Sequence, residues 1–223
     1  MHSEPAQVLL TDAEGRRRIE GDWHPAPLPG NLVLGDRSYP DTSYSFTTSY
    51  SREDVAIRFG RATGNYGHGI FTTGVKGRIQ VGDFTVLQCT RIIANRLVSI
   101  GDHCMFSWGS VVTDSWIGGG ALSIEARRRM LDAVSRHPNR HLEFEEPMPV
   151  KIEDNVWVGF DAIVMPGVTI GRGSVIGCKS VVFEDIPPYS VAVGNPASVI
   201  RTLEKNDDET FRKKAVEAFL KNR

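Results

Sequence analysis

From Ile152 onward the chain carries a β-branched aliphatic residue at every sixth position: Ile152, Val158, Val164, Ile170, Ile176 and Val182. The fifth position of each hexad is small or apolar, namely Val156, Ala162, Val168, Ser174, Ser180 and Ile186. Gly159, Gly171 and Gly177 each follow a first-position residue. Neither the 3.6-residue period of a helix nor the two-residue period of an ordinary strand produces this pattern. A six-residue period marks a parallel β-helix. Each hexad makes a short strand and a bend, and three hexads, about eighteen residues, return the chain to its starting side ~4.8 Å further along. The branched residue fills the prism interior, where pleated packing suits it, and glycine at a bend accepts positive φ.

Upstream, hexads start at Val81, Leu87 and Ile93 and, after one extra residue at Ser99, at Ile100, Phe106 and Val112. His103 then falls at a fourth position, where a surface side chain is expected. Before Val81 the frame reaches Val75, but Gly69 and Thr63 are poor interior residues, which predicts a frayed first coil. The fold expected is all-β: a parallel β-helix of roughly four to six coils over residues 56–201. Residues 1–55, with Pro25, Pro27, Pro29 and Pro40, read as an irregular or short-stranded N-terminal cap.

Two segments break the period. Residues 114–150 are too long for a bend, so one coil ejects a long loop; Leu122, Met130, Leu131 and Val134 predict a short helix in it, stopped by Pro138. Long loops on rigid scaffolds commonly carry function. Over residues 202–223, Phe211, Ala215, Ala218 and Phe219 share one face of a C-terminal amphipathic helix. Asp207 and Asp208 near its start and Lys221 and Arg223 near its end suit the helix dipole. Pro187-Pro188 reads as a turn ending the last regular coil, with a cis bond at Pro188.

Composition narrows the partners. With 26 basic and 27 acidic residues the net charge is −1, which offers no electrostatic footprint for nucleic acid or an anionic membrane. No stretch approaches the ~18 apolar residues of a membrane span, and no secretory signal is visible. Cys89, Cys104 and Cys178 cannot all pair and match no zinc spacing, so reduced thiols in a cytoplasmic protein are expected.

The segment NVWVGFDAIVMPGVTIGRGSVIGCKSVVFEDIPPYSVAVGNPASVIR resembles the C-terminal coils of the hexapeptide-repeat acyltransferases. It is nearest the branch holding saccharide O- and N-acetyltransferases and xenobiotic acetyltransferases. The resemblance is strong over 150–201, fair over 75–114 and absent before about residue 50. It implies a left-handed coil, a homotrimer with sites between neighbouring prisms, and acetyl-CoA as acyl donor with no metal. The acceptor would be a hydroxyl or amine of a small molecule, a sugar or sugar nucleotide first, and the enzyme an acetyl-CoA-dependent O- or N-acetyltransferase. It also implies a loop histidine as general base, since imidazole titrates near neutral pH and can take the acceptor's proton.

Relatives continue a segment like FSWGSVVTD with Asp-His, whereas this chain reads Asp114-Ser115-Trp116. The candidate bases are therefore His141 and then His137, with Asp114 orienting a base or acceptor, or else simply ending a strand in a turn. Trp157, Gly159, Gly177, Cys178, Lys179 and Arg201 fall along the implied CoA edge, Cys178 as a packed thiol. Trp108 joins Trp157 at a coil edge, as pantetheine slot or trimer contact. Arg127, Arg128 and Arg129 read as a solvated helix face or an anion site. The alternative function is a non-catalytic hexapeptide-repeat trimer that binds or scaffolds. A zinc enzyme of γ-carbonic-anhydrase type would need three converging histidines, and the regular coils offer only His103.

Overall fold

The computed structural model describes residues 9–116, 123–136 and 146–205, together with Glu217 and Lys221. The chain winds as a left-handed parallel β-helix with three sheet faces. The first face stacks six strands, from Leu32–Leu34 through Ile57–Phe59, Arg78–Val81, Leu97–Ile100 and Val150–Ile152 to Thr169–Ile170. The second runs from Tyr39–Pro40 to Ser190–Gly194 and ends in the antiparallel strand Ala197–Thr202. The third stacks five strands, from Ile70–Thr73 to Val181–Val182. A small antiparallel hairpin, Leu9–Thr11 with Arg17–Ile19, lies outside the prism sheets.

The hexad residues fill the prism. Ile152, Val158, Val164, Ile170, Ile176 and Val182 are all buried. In the lower coils Phe106 and Val112 hold the same columns, aligned with Val158 and Val164 in parallel register. The bends are tight because consecutive coils touch through glycine. A Cβ on Gly82 would sit 2.3 Å from Asp102 Oδ1, and one on Gly101 2.3 Å from Asp154 Oδ1. Those aspartates clip the coils together: Asp83 N–H donates to Asp102 Oδ1 at 2.7 Å and Asp102 N–H to Asp154 Oδ1 at 3.0 Å.

Three expectations need correction. Ile93 was placed inside the prism, but Ile92 and Ala94 are the buried residues of Arg91–Ala94 and Ile93 faces outward. The turn after Leu87 reaches Ile92 in five steps, where Phe106 reaches the aligned Val112 in six. The next turn takes eight, Ile92 to Ile100, against six from Val164 to Ile170. This turn therefore holds two residues more and the one before it one fewer, so the net surplus of one lies in the turn at Asn95–Leu97, not at Ser99. Second, the coil below Val81 is not frayed. Thr63 and Asn65 are fully buried and pair polar groups across coils, Thr63 Oγ1 to Gly82 O at 2.5 Å and Asn65 Nδ2 to Ser45 Oγ at 3.0 Å. Third, the cis peptide among the described residues is Asn195–Pro196 rather than the bond at Pro188.

Parallel stacking begins inside the stretch read as a cap, where Leu32–Leu34 pairs with Ile57–Phe59 and Tyr39–Pro40 with Gly64–Tyr66. The C-terminal helix lies outside the described residues apart from Glu217 and Lys221, both helical.

Candidate functional site

The ejected segment leaves and re-enters the prism at one point. Met148 N–H donates to Asp114 O at 2.8 Å, and Met148 O in turn accepts Gly167 N–H at 3.0 Å. Trp116, three residues past the outgoing strand Val111–Thr113, stacks with Phe183 at 6.3 Å and 19°. Asp114 itself is fully buried. Its carboxylate accepts N–H from Asn95 at 2.9 Å, Arg96 at 2.7 Å and Leu97 at 2.8 Å, and Ser115 Oγ–H at 2.5 Å. It thus closes the enlarged turn located above. Both oxygens are engaged, which is the turn-forming alternative in its strongest form.

The candidate bases His137 and His141 lie outside the described residues. Between them and Asp114 runs the helix Ile124–Arg136, none of whose residues is buried. Ser123 caps it, its Oγ accepting Ala126 N–H at 3.1 Å. Ala126, Met130 and Val134 form a half-buried stripe, while Arg127, Arg128 and Arg129 face solvent.

The residues expected along the CoA edge split into two groups. Trp157, Gly159, Gly177, Cys178 and Lys179 gather where the second face turns into the third. There Trp108 stacks on Phe160 at 5.4 Å and 14°, and Trp157 Nε1–H donates to Ser107 Oγ at 3.2 Å. Gly159 is obligatory, because a Cβ would lie 2.7 Å from Cys178 N. Cys178 is exposed, not packed as expected, because it sits at the outside of a bend. Lys179 pairs with Asp161 at 3.1 Å on an open surface, which leaves the ammonium displaceable.

Arg201 stands at the other edge of the second face. It pairs with Val191 in the terminal hairpin and lines a polar hollow of about 550 Å³ with Asn155, Gly173, Tyr189 and Glu204. Four strand steps of ~3.3 Å separate the two edges. A second hollow, about 410 Å³, lies over the first face between Ser99, Lys151, Glu153 and Arg172. Its charges are satisfied: Lys151 pairs with Glu153 at 2.8 Å and Arg172 with Asp154 at 3.0 Å. The first pair raises the Lys151 pKa and lowers that of Glu153, through the hydrogen bond between them.

His103 is not the free surface side chain expected. Its ring stacks on Phe84 at 5.1 Å, and both ring nitrogens are buried without a hydrogen-bond partner. His68 is exposed, with Nδ1 3.4 Å from Asp41 Oδ2. No group of three His, Cys, Asp or Glu that could hold a metal occurs among the described residues. Sequence reasoning did not single out Phe160, although it follows Gly159 in a hexad bend as Cys178 follows Gly177. It also missed Tyr189 and Asn155, whose positive φ of 57° each marks the same bend column; nothing in the hexad spacing announces them.

Residues 149–184 match the repeat family described as bacterial transferase hexapeptide (six repeats). A provisionally named acetyltransferase of Schizosaccharomyces pombe is 55% identical over 65 residues, 29% of this chain and 31% of that protein. Another, from Staphylococcus aureus (strain COL), is 48% identical over 89 residues, 35% of this chain and 45% of that protein. The matched segments span less than half the length of either relative. Among solved structures, a serine-to-cysteine variant of AntD, an N-acyltransferase from Bacillus cereus in complex with dTDP-4-amino-4,6-dideoxyglucose and Coenzyme A, superposes with a TM-score of 0.60. Identity is 18%, covering 87% of this chain and 92% of that one. The likeness is one of fold. The chain has the left-handed β-helix fold, and its residues 149–184 carry hexapeptide repeats.

Proposed function

We propose that the protein is an acetyl-CoA-dependent acyltransferase that moves an acetyl group to a hydroxyl or amine of a sugar or sugar nucleotide. The observation that carries this reading is the ejected segment. It departs and returns beside one buried carboxylate-held turn, immediately before coils built from hexapeptide-transferase repeats. The relatives named as acetyltransferases, and AntD's complex with Coenzyme A and an amino-sugar nucleotide, support the same donor and acceptor class.

In the reaction the acceptor oxygen or nitrogen attacks the thioester carbonyl, its proton passes to a base, and the CoA thiol leaves. The base proposed is His141, or else His137, on the ejected segment. Asp114 accepts backbone N–H groups of Asn95, Arg96 and Leu97, and the role proposed for it is to hold the turn from which the segment springs. Trp157, Gly159, Gly177, Cys178 and Lys179 would line the donor along one coil edge. Arg201 would meet a phosphate from the other edge. Backbone N–H groups of the coil are the natural donors to the developing oxyanion.

The working unit proposed is a homotrimer. The helix Ile124–Arg136 buries none of its residues against its own prism, and the exposed Trp108–Phe160 stack offers an apolar edge to a neighbour. Three free cysteines accord with a reducing, cytoplasmic setting. A second reading, a non-catalytic binding trimer, is favoured by one observation: where relatives carry Asp-His, Ser115 follows Asp114 and hydrogen-bonds to it.

Thiol release from acetyl-CoA, measured over a panel of sugars, sugar nucleotides and amines, separates the two readings. Turnover is expected with at least one acceptor, and His141→Ala or, failing that, His137→Ala should lower kcat about a hundredfold or more with stability unchanged. Near-normal turnover in both variants rejects the histidine base. CoA binding with no turnover on any acceptor selects the binding trimer.

A further inference from the structure

At the low end of the prism, three rings that serve neither the core nor the site above meet around a fourth, Trp23. His24, Tyr44 and His68 pack against it at centroid distances of 5.7, 5.4 and 5.8 Å. Yet 62% of Trp23 stays exposed, as does 40% of Tyr44. The cluster is built rather than incidental. Asp22 ties the Trp23 turn to the short 3-10 helix Ser43–Phe46, accepting Thr42 Oγ1–H at 2.7 Å, Ser43 N–H at 2.8 Å and His24 N–H at 3.0 Å. His24 Nδ1 lies 3.0 Å from Ser43 Oγ. Asp41 Oδ2 accepts Gly67 N–H at 3.2 Å and faces His68 Nδ1. Among the described residues, His24 Nε2 and Asp41 Oδ1 take no hydrogen bond.

Geometry and charge select the ligand. The three neighbouring rings meet Trp23 at interplanar angles of 69°, 40° and 81°. No two parallel faces therefore form a slot for a flat base. One open indole face remains, with imidazole and carboxylate at its margin. The carboxylates of the cluster are Asp22 and Asp41, and among the described residues no lysine or arginine stacks on its rings, so a phosphate is disfavoured. The exposed large apolar residues of the cluster itself, Trp23 and Tyr44, are both aromatic, whereas the Trp108 edge adds Met105. A protein contact would bring aliphatic surface as well. A pyranose fits these features: its C–H face is attracted to the negative face of an indole, and its hydroxyls suit imidazole nitrogens and a carboxylate oxygen.

We propose that the cluster of Trp23, His24, Tyr44 and His68 with Asp41 is a saccharide-binding platform, separate from the acyl-transfer site. A pyranose stacks on Trp23, and its hydroxyls bond Asp41 and the two imidazoles. The proposal stands whether or not the protein proves to transfer acyl groups, because binding is read without CoA.

The test is saturation-transfer NMR on the full chain with maltohexaose, cellohexaose and chitohexaose as probes, with sedimentation run in parallel. At least one probe should bind with a dissociation constant of about a millimolar or tighter. Trp23→Ala should weaken it at least tenfold, Trp23→Phe should retain most of it, and His68→Asn, which tolerates the positive φ of 63° at that position, should weaken it about threefold. Trp23 is largely exposed, so its removal should leave the far-ultraviolet circular dichroism unchanged. No binding of any probe to the unmodified chain overturns the proposal, as does equal binding by Trp23→Ala. A change of sedimentation coefficient in Trp23→Ala also overturns it, since it would make the patch a contact between copies.

Discussion

The coils after the ejected segment and the coils before Val81 share one architecture but are filled by different means. Between Val150 and Val182 the interior is Val, Ile and Ala with Ser174 and Ser180 at two bends, the strands are two or three residues long, and the period is six throughout. Between Leu32 and Thr73 the interior holds three aromatics and several polar groups. Phe71 stacks on Phe46 at 5.4 Å and meets Phe59 edge-on at 5.2 Å, and Thr73 bonds Ser49 at 2.8 Å. Small branched residues fill a narrow prism coil by coil with little strain. Rings fill it by interlocking across coils, and most buried hydroxyls and amides there find a partner, Asn65 Oδ1 excepted. The lesson is that a six-residue signature measures how uniformly a prism is filled, not where the prism starts.

The largest expected contrast is therefore in core truncation. Phe71→Ala should cost ~3–5 kcal/mol, because it opens a hole between Phe46 and Phe59, whereas Ile176→Val in the uniform half should cost ~1 kcal/mol. Urea midpoints at constant m-value check both, and equal losses would mean that the two halves are packed alike.

At the joint between the halves, Gly101→Ala would push a methyl to within 2.3 Å of Asp154 Oδ1 and 2.8 Å of Asp154 N. A loss of ~3 kcal/mol is expected. Gly30→Ala, with nothing within 4 Å, should stay within ~0.5 kcal/mol. A mild Gly101→Ala would show that the aspartate clips can open without cost.

Asp114→Asn probes the enlarged turn. The amide cannot accept from Asn95, Arg96, Leu97 and Ser115 as the carboxylate does, and ~2 kcal/mol should be lost. Hydrogen exchange should quicken at the amides of Asn95, Arg96 and Leu97 rather than in the uniform half.

The smallest effect is a pH dependence at Cys104. Burial is the main cause that pushes its thiol from 9.0 up to about 12. The folded protein keeps the proton while the unfolded chain ionises from about pH 9, so stability is full below that pH and falls as pH rises toward 12. At pH 10 the loss should be ~1 kcal/mol more than in Cys104→Ala. Aromatic disulfide reagents should label exposed Cys178 first and Cys104 only on unfolding.

Much of this was legible in residue spacing. The six buried residues from Ile152 to Val182 and the parallel coils they line were readable in the chain, because one interior residue per bend leaves a period that no other element makes. The ejected segment was readable for the same reason, as an interruption too long for a bend, and the described part of its helix is Ile124–Arg136. The coils below Val81 were not readable, though Leu34, Pro40 and Phe46 keep the same step of six. Proline, threonine and asparagine do not announce an interior, and only their cross-coil hydrogen bonds make them one. The candidate site divides in the same way. Trp157, Gly159, Gly177, Cys178 and Lys179 were predictable as neighbours because bends of successive coils stack in register. The commitment of Asp114 to three backbone N–H groups, the burial of the His103 nitrogens and the meeting of four rings at Trp23 depend on side chains from separate coils or from outside the repeat. Spacing records which residues face inward within one coil; what they meet from another coil is decided only when the prism closes.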